Sequence, residues 1–255
     1  MDKIDLSGQV TLITGGTSGL GYAMAEALTS VGATVIITSR SKTRADATAS
    51  KLSNAIGIEM DSSDEASVNS GIDSAWRLTG GIDLLVNNAG IGMRTVNDNF
   101  MSSPQPFWNV PTDKFKILVA TNLTGYFLVA KDITPLMLER GKGRIINISM
   151  NHSTMKRKGF IPYGPSRAGA ESLSRIMAAD LEATPIRVNM LLPGGATGTG
   201  MIPDKTKVPA GTLLQPEIMG PPIIWLASEK AKNVHDERIV ASEFNDWLDK
   251  KEIKS

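Results

Sequence analysis

Two hydrophobic patterns alternate along the chain: short runs rich in β-branched residues, and longer stretches whose apolar residues recur every three or four positions. They predict strands at residues 10–14, 34–38, 55–59, 82–86, 144–148, 187–192 and 238–241, and helices at 20–31, 42–52, 64–78, 112–140, 163–183 and 223–228. Apolar strands separated by helices are typical of a parallel sheet buried on both faces. The chain is therefore predicted to form a single doubly wound (Rossmann) α/β domain, residues 1–255, with about seven parallel strands flanked by helices.

The composition narrows the expected partners. The 27 Lys and Arg residues nearly balance the 26 Asp and Glu residues, so no basic field is present and we expect no nucleic-acid partner. The chain has no Cys and two His, which excludes disulfides and thiolate zinc sites, and no metal site is expected. Because it shows neither an apolar leader nor a run of about 18 apolar residues, we expect a cytoplasmic protein with no membrane partner.

A glycine-rich segment, Thr14-Gly-Gly-Thr-Ser-Gly-Leu-Gly21, joins the first predicted strand to the first predicted helix. Glycines permit a tight turn and let the backbone approach a pyrophosphate, while the unpaired N–H groups at the start of the helix attract phosphate. The context of strand, turn and helix therefore predicts a dinucleotide site. The alternative is that the glycines serve the geometry of the turn alone.

The end of the second predicted strand indicates which dinucleotide is bound. An acidic residue about 20 positions after the glycine-rich turn accepts hydrogen bonds from the ribose of NAD. Here the strand ends in Thr38-Ser39-Arg40, with Lys42 and Arg44 nearby and no acid at its end. Because a guanidinium suits a 2′-phosphate, NADP is the predicted cofactor and NAD the alternative. The same charges are also compatible with the solvated start of a helix.

Two more motifs follow the glycine-rich turn in order. Asn87-Asn-Ala-Gly90 comes after the fourth predicted strand, and Arg187-Val-Asn189 with Pro193-Gly194 forms the sixth strand and its turn. Together with the turn, which is similar to Thr-Gly-xxx-Gly-x-Gly, these motifs resemble the short-chain dehydrogenase/reductase family over nearly the whole chain. The resemblance implies an oxidoreductase that interconverts an alcohol and a carbonyl. It also implies a homodimer or homotetramer assembled through the two long helices.

The same resemblance implies an active site of Asn122, Ser149, Tyr163 and Arg167, the last in place of the family's Lys. Tyr163 would exchange a proton with the substrate oxygen, Ser149 would hold that oxygen, and Asn122 would keep a helix kink and a water. Phenols have a pKa near 10, so a nearby cation is needed to make one a useful base. Arg167 supplies that charge and ribose hydrogen bonds but does not release its proton. We expect an active, slow enzyme; the alternative is a catalytically impaired protein that senses dinucleotide.

Cofactor contacts also follow from the resemblance, residue by residue. Asp61 matches an acid that accepts from the adenine amino group, and Asn88 borders the adenosine ribose. Thr199, preferred to Thr197, matches the contact to the carboxamide. The full implied set is Gly15, Thr17, Ser18, Gly19, Leu20, Gly21, Ser39, Arg40, Asp61, Asn88, Ala89, Gly90, Tyr163, Arg167, Pro193, Gly194 and Thr199.

A long segment after Gly90 bears on the substrate. Loops that leave the carboxyl ends of strands in a doubly wound sheet surround the ligand crevice. Residues 99–108 are therefore predicted either to wall a substrate pocket or to pack as an apolar flap, on the protein itself or at a subunit contact. The apolar side chains concerned are Phe100, Met101, Phe107 and Trp108.

Residues 194–220, rich in Gly and Pro, are predicted to form a substrate loop. Methionines beside the motifs tolerate varied apolar shapes, which favours a small, apolar or aromatic carbonyl or alcohol as the substrate. We interpret the basic run 156–158 as solvated charges, with an anion contact as the alternative. We interpret His152 as an ordinary loop histidine, with a part in a proton path as the alternative.

Overall fold

The computed structural model describes residues 4–202 and 211–252. Within them, seven parallel strands form one sheet in the order β3-β2-β1-β4-β5-β6-β7. The strands are β1 Val10–Ile13, β2 Thr34–Ser39, β3 Ala55–Glu59, β4 Leu84–Asn87, β5 Gly143–Ile148, β6 Ile186–Leu192 and β7 Arg238–Val240. The predicted doubly wound parallel sheet is confirmed, and the strands lie where the hydrophobic runs place them, with ends shifted by a few residues.

The helices follow the predicted alternation. They are α1 Gly19–Ser30, α2 Lys42–Ala49, α3 Glu65–Thr79, α4 Thr112–Val119, α5 Gly125–Arg140, α6 His152–Met155, α7 Tyr163–Leu181, α8 Gly220–Ala227 and α9 Phe244–Glu252. The single helix predicted for residues 112–140 is wrong in one respect, because a π-helical turn at Ala120–Thr124 separates α4 from α5. The sequence analysis missed α6, which has four residues and is shorter than the window over which a helical period can be recognised. It recognised helical surroundings at Trp247, which lies in α9, without giving bounds for that helix.

Two apolar layers cover the sheet, one on each face. On one face α1, α8 and α9 bury side chains such as Leu28, Ile223 and Phe244 against the strands. On the other face α3, α5 and α7 bury Val68, Val129 and Ala178. Burial on both faces explains why the strands are apolar throughout rather than alternating. No helix among the described residues is long and apolar enough to cross a lipid bilayer.

The chain reverses its direction across the sheet between β1 and β4, which are neighbours. A crevice forms at such a reversal, beyond the carboxyl ends of the strands, and in doubly wound sheets ligands bind there. Thr14, which follows β1, joins the two edges of the crevice. Its hydroxyl oxygen accepts hydrogen bonds from the backbone N–H groups of Asn88 and Ala89, each at 2.9 Å. These two bonds hold the glycine-rich turn against the Asn-Asn-Ala-Gly segment.

Candidate active site

A cavity of about 460 Å³ lies at this edge of the sheet and extends from the glycine-rich turn to Tyr163. Most of the predicted site residues line it. They are Gly15, Thr17, Ser18, Gly19, Leu20, Ser39, Arg40, Asp61, Asn88, Ala89, Gly90, Ser149, Tyr163, Arg167, Pro193, Gly194 and Thr199. Gly21 and Asn122 are not among the lining residues. Both lie behind the cavity wall and support it.

The glycine-rich turn leaves room for a phosphate group at the start of α1. Gly15 and Gly19 have φ angles of +64° and +55°, a left-handed conformation that favours glycine. A Cβ atom on Gly21 would lie 2.5 Å from Asn88 Nδ2, so a larger residue would push α1 away from the turn. Among the described residues no side chain caps the N-terminus of α1, whose first residues face the cavity. This backbone cradle and its helix N-terminus fit the pyrophosphate of a dinucleotide.

Cations surround the end of the cavity that adjoins β2. Arg40 and Arg44 line it, and neither forms an ion pair with another residue of the described chain. Lys42, between them, is bonded to the Asp46 carboxylate and donates to the Gly57 carbonyl oxygen at 3.3 Å. The two arginines therefore keep donors for a ligand, whereas the lysine is engaged by Asp46 of its own helix and by Gly57 of β3.

Asp61, at the end of β3, also lines the cavity. Its Oδ1 accepts from the Ser63 N–H at 2.9 Å and from the Ser63 hydroxyl at 2.7 Å. The carboxylate is thereby held in place at the cavity wall. Because Oδ2 has no hydrogen bond to another described group, the carboxylate keeps an acceptor for a ligand amino group.

Asn122 lies in the π-helical turn and is fully buried. Its Oδ1 accepts from the Ile91 N–H at 2.9 Å, and its Nδ2 donates to the Ile91 carbonyl oxygen at 3.0 Å and to the Ser166 hydroxyl at 3.4 Å. The amide therefore fixes the chain just after Gly90 and ties it to α7. The predicted irregularity of the helix at this asparagine corresponds to the π-helical turn.

The guanidinium of Arg167 is buried, with 4% of the residue exposed, between two phenol rings. Nη1 donates to the Tyr126 hydroxyl oxygen at 2.6 Å and to the Ile148 carbonyl oxygen at 3.2 Å. Cζ lies 5.5 Å from the ring centres of both Tyr126 and Tyr163. A Cβ atom on Gly90 would lie 2.2 Å from Nη2, so the glycine provides the space that the arginine occupies.

Arg167 forms no ion pair with a carboxylate of the described residues, and its bonded partners are a phenol and a carbonyl group. Burial lowers the pKa of its guanidinium, but the phenols of Tyr126 and Tyr163 raise that pKa more, so the net shift is upward. Arg167 therefore keeps its proton at neutral pH. The cation that resemblance predicts beside Tyr163 is present and points into the molecule, away from solvent.

Tyr126, on α5, is the residue of this group that the sequence analysis missed. Burial raises the pKa of its phenol above the ordinary value, in spite of the opposing effect of Arg167. The neutral hydroxyl donates to the Ile148 carbonyl oxygen at 3.1 Å and accepts from Arg167. Its spacing of four residues from Asn122 places both on one helix face and is the sequence signal that identifies it.

The phenol of Tyr163, at the start of α7, stands in an apolar part of the cavity. Its hydroxyl lies 3.8 Å from the Met201 sulfur, and its ring packs edge-on against Phe160, with 6.5 Å between ring centres. Phe160 in turn packs against Phe100 and Met93. The hydroxyl thus lies beside the Met201 sulfur and within the influence of the Arg167 guanidinium, and it faces the cavity.

The predicted wall of residues 99–108 divides into two parts. Phe100 is buried and lines the cavity together with Met101. Phe107 and Trp108 are 65% and 71% exposed, pack on each other at 5.1 Å between ring centres, and do not line the cavity. The first alternative therefore fits Phe100 and Met101, whereas Phe107 and Trp108 lie outside the cavity because the short helical turn at Phe107–Asn109 carries them onto the surface.

Ser149, which follows β5, donates its hydroxyl proton to Oε1 of Glu171 on α7. The same oxygen accepts from Arg238 Nε at 2.8 Å, and Oε2 pairs with His152 Nε2 at 3.0 Å. Burial raises the pKa of the Glu171 carboxyl, but the hydrogen bonds from Ser149, Arg238 and His152 lower it further, so its pKa falls below the ordinary value. The sequence analysis missed Glu171, although its spacing of four from Arg167 places it on the same face of α7.

The turn after β6 completes the cavity. Gly194 has a φ of +99°, and Asn151 Nδ2 donates to its carbonyl oxygen at 2.8 Å. Thr197 is bridged to Leu214, whereas the Thr199 side chain lies opposite Gly19, 3.2 Å from where a Cβ would stand. Thr199 is therefore the threonine nearer to the glycine-rich turn. Part of the predicted substrate loop, residues 203–210, lies outside the described residues.

Comparison with known proteins gives the family. The sequence model that describes the short chain dehydrogenase family matches residues 9–209 of this chain. The chain is 34% identical over 250 residues to the 3-oxoacyl-[acyl-carrier-protein] reductase FabG of Aquifex aeolicus, covering 93% of this chain and 97% of that protein. It is 32% identical over 197 residues to the 5-keto-D-gluconate 5-reductase of Escherichia coli K12, covering 76% and 74%.

Solved structures agree. A short-chain type dehydrogenase/reductase from Mycobacterium marinum superposes with a TM-score of 0.83 at 27% identity, covering 95% of this chain and 98% of that one. The 3-ketoacyl-(acyl-carrier-protein) reductase of Brucella melitensis, complexed with NADH, superposes with a TM-score of 0.81 at 28% identity, covering 92% and 97%. The chain therefore belongs to the short-chain dehydrogenase/reductase family, the NAD(P)-binding oxidoreductases that interconvert alcohols and carbonyl compounds.

Proposed function

We propose that this protein uses NADP(H) to interconvert a small, apolar or aromatic carbonyl compound and the corresponding alcohol. One observation carries the proposal: the Tyr163 hydroxyl and the buried Arg167 cation face the same cavity as an open glycine-rich turn. A phenol that faces the cavity, a fixed positive charge beside it and a pyrophosphate cradle are the parts that coupled hydride and proton transfer requires.

The bound nicotinamide would supply the hydride chemistry, and the protein side chains would handle the proton and the substrate oxygen. Tyr163 hydrogen-bonds that oxygen and acts as its acid or base. Ser149 contacts the same oxygen from the end of β5. Nη1 of Arg167 is bonded to Tyr126 and Ile148, and the remaining N–H groups of its guanidinium are available to the ribose hydroxyls. The positive charge of Arg167 stabilises the negative charge that develops at the substrate oxygen.

The substrate class follows from the walls around Tyr163. Met93, Phe100, Phe160 and Met201 surround the phenol with apolar surface, and methionine adapts to substrates of varied shape. The two named relatives are a 3-oxoacyl-[acyl-carrier-protein] reductase and a 5-keto-D-gluconate 5-reductase. Because those substrates differ, the apolar walls, rather than the relatives, support the choice of an apolar or aromatic substrate here.

The test is a screen of aliphatic and aromatic ketones and alcohols with NADP(H), with product identified by mass spectrometry. We expect product from at least one apolar ketone and a loss of that product in Tyr163→Phe. A protein that binds NADP(H) but forms no product with any member of the panel would be the dinucleotide-sensing protein instead. Thermal shift with each dinucleotide alone verifies that the site is intact.

We propose NADP rather than NAD because Arg40 and Arg44 line the cavity without an acidic partner. Replacing Arg40 with Ala is expected to weaken NADPH binding by about 2 kcal/mol, roughly 30-fold, since a hydrogen bond to a charged group is lost. NADH binding is expected to be unchanged. Lys42→Ala is the matched control, because Lys42 is already bonded to Asp46. Equal weakening of NADPH and NADH by Arg40→Ala, measured by fluorescence titration, would contradict the assignment.

We also propose that the chain assembles as a homodimer or homotetramer through its long helices. Large apolar side chains are exposed on both, Phe127 and Leu138 on α5 and Ile176 on α7. A contiguous interface would remove these side chains from water. Sedimentation equilibrium is expected to give a dimer or tetramer, which Phe127→Lys dissociates; a monomer at micromolar concentration would contradict the proposal.

Two expectations of the sequence analysis stay predictions: that the protein is cytoplasmic, and that residues 194–220 form a substrate loop.

A further inference from the structure

We propose that Arg157 holds a carboxylate of the substrate, so that the substrate is an apolar or aromatic carbonyl compound with a carboxylate at its far end. Arg157 then determines specificity and takes no part in the chemistry at the carbonyl carbon. The proposal rests on the proposed function, since it describes the opposite end of the molecule whose oxygen Tyr163 contacts.

Four arginines line the cavity among the described residues, and three of them already have a proposed role. Arg40 and Arg44 stand at the end that adjoins β2, and Arg167 is buried beside Tyr163. The fourth is Arg157, which follows α6. No lysine lies among the described lining residues. Arg157 is therefore the lining cation that neither the cofactor nor the proton transfer accounts for.

The Arg157 guanidinium lies against the apolar wall next to Tyr163. Its Cζ is 4.9 Å from the ring centre of Phe160, and the centre of that ring is 6.5 Å from the ring centre of Tyr163. Both residues thus contact the same aromatic ring. A molecule whose carbonyl oxygen meets Tyr163 therefore needs an apolar spacer about the length of one ring to place an anion at Arg157.

The donors of this guanidinium are free for a ligand. Among residues 4–202 and 211–252, its contact is the Phe160 ring, and no carboxylate pairs with it. A guanidinium carries five N–H donors in a planar fork, and this fork matches the two oxygens of a carboxylate. Arg157 is exposed while it lines the cavity, so it stands at the mouth, where an anionic group enters with part of its hydration kept.

The backbone that carries Arg157 is fixed before a ligand arrives. The Arg157 N–H donates to the Thr154 carbonyl oxygen, and the Arg157 carbonyl oxygen accepts from the Phe160 N–H, each at 3.2 Å. Gly159 has a φ of +77°, and a Cβ atom on it would lie 2.5 Å from the Pro104 Cβ. The turn is therefore packed against the segment that carries Pro104. Because the chain is already ordered, binding an anion there costs little conformational entropy.

The neighbouring lysines favour a carboxylate over a phosphate. Lys156 and Lys158 are exposed and do not line the cavity. The interpretation of the basic run as solvated charges therefore fits these two residues, whereas the anion contact fits Arg157. A single planar fork satisfies a carboxylate, while a phosphate presents more charge and more acceptors than one guanidinium meets.

A purely structural role for Arg157 is the competing interpretation, since a guanidinium stacked on Phe160 covers apolar surface. The two interpretations differ in whether the charge of the ligand matters. If Arg157 only covers the ring, Arg157→Met affects charged and neutral ketones equally. If Arg157 holds a carboxylate, the loss is confined to the charged ketone.

The main experiment compares the reduction of para-acetylbenzoate with that of its methyl ester at saturating NADPH. The two ketones share a ring and a reacting group and differ in charge. We expect Arg157→Met to lower kcat/KM for the acid about 10-fold, chiefly by raising KM, and to leave kcat/KM for the ester unchanged. This is the low end for hydrogen bonds to charged groups, because the site is exposed. Arg157→Lys, which keeps the charge but not the fork, is expected to lie between the two.

Lys158→Met is the matched control, because it removes an exposed cation of the same run that does not line the cavity. It is expected to leave both substrates unchanged. Salt provides a further readout that a structural role would not move. Raising the ionic strength from about 0.01 M to about 1 M shortens the screening length from about 30 Å to about 3 Å, so KM for the acid is expected to rise in wild type and not in Arg157→Met.

Binding without turnover distinguishes a failure of this proposal from a failure of the proposed function. Protein loaded with oxidised NADP cannot reduce a ketone, and calorimetric titration with para-acetylbenzoate is expected to show about 10-fold weaker binding to Arg157→Met. If this difference is found but no ketone is reduced, the proposed function is wrong and the carboxylate site stands. If neutral ketones are reduced and binding of the acid is unaffected by Arg157→Met, the carboxylate site is wrong and the proposed function stands.

Two other results would also overturn the proposal. Equal losses for the acid and the ester in Arg157→Met would assign Arg157 a structural role. Tighter binding of para-acetylphenyl phosphate than of para-acetylbenzoate, lost in Arg157→Met, would show that the anion held at Arg157 is a phosphate.

Discussion

Replacing Tyr163 with Phe is expected to lower kcat by about 10⁴-fold, the upper end of what general acid–base catalysis contributes, without loss of NADP(H) binding. The change removes one hydroxyl, whose described contact is the Met201 sulfur at 3.8 Å. The ring that packs against Phe160 is kept, so the walls of the cavity and the stability of the fold are preserved. Initial rates and dinucleotide titrations on the same preparation separate the loss of proton transfer from a loss of binding.

The other tyrosines provide controls for this prediction. The chain has three, and Tyr22 lies on α1 with its hydroxyl 3.4 Å from Glu26, outside the cavity. Tyr22→Phe is expected to leave kcat and dinucleotide affinity unchanged. If Tyr163→Phe turned over substrate as fast as Tyr22→Phe does, the assignment of Tyr163 as acid and base would be wrong.

Replacing Arg167 with Met is expected to lower kcat by about 10³-fold, the upper end of what one electrostatic donor contributes to a transition state. The change removes the buried cation 5.5 Å from the Tyr163 ring centre and its bonds to Tyr126 and Ile148. We expect the free energy of unfolding to change by no more than about 1.5 kcal/mol, because exchanging a buried charge for an apolar side chain removes a desolvation cost along with the hydrogen bonds. Steady-state kinetics and denaturant titration measure the two quantities separately.

Arg167→Lys distinguishes charge from shape. Lys keeps the positive charge but cannot reproduce a planar group that contacts Tyr126, Ile148 and the cavity together, so we expect activity between those of wild type and Arg167→Met. Arg175→Met, which removes an exposed cation of α7, is the control and is expected to retain wild-type activity. Turnover and cofactor affinity equal to wild type in both Arg167 variants would show that the guanidinium has no electrostatic role.

Much of the framework follows from patterns that are local in the chain. Apolar runs and helical spacing place the strands and most helices, because burial on both faces of a parallel sheet leaves a signal in every segment. The glycine-rich turn is likewise local, since its glycines and the first turn of α1 are consecutive residues. Elements shorter than a recognisable period, such as α6, carry no such signal.

The sequence by itself determined the doubly wound fold and, through its ordered motifs, the placing of Ser149, Tyr163 and Arg167 around one crevice. The tertiary structure alone decided the partners of these side chains. Arg167 meets Tyr126 across 41 residues of chain, and Ser149 meets Glu171 across 22. The spacing of apolar residues indicates which face of a helix or strand is buried. It does not indicate which polar side chains come into contact once several elements pack together. These hydrogen bonds around the crevice are therefore a property of the packed fold, because each joins residues from elements that are distant along the chain.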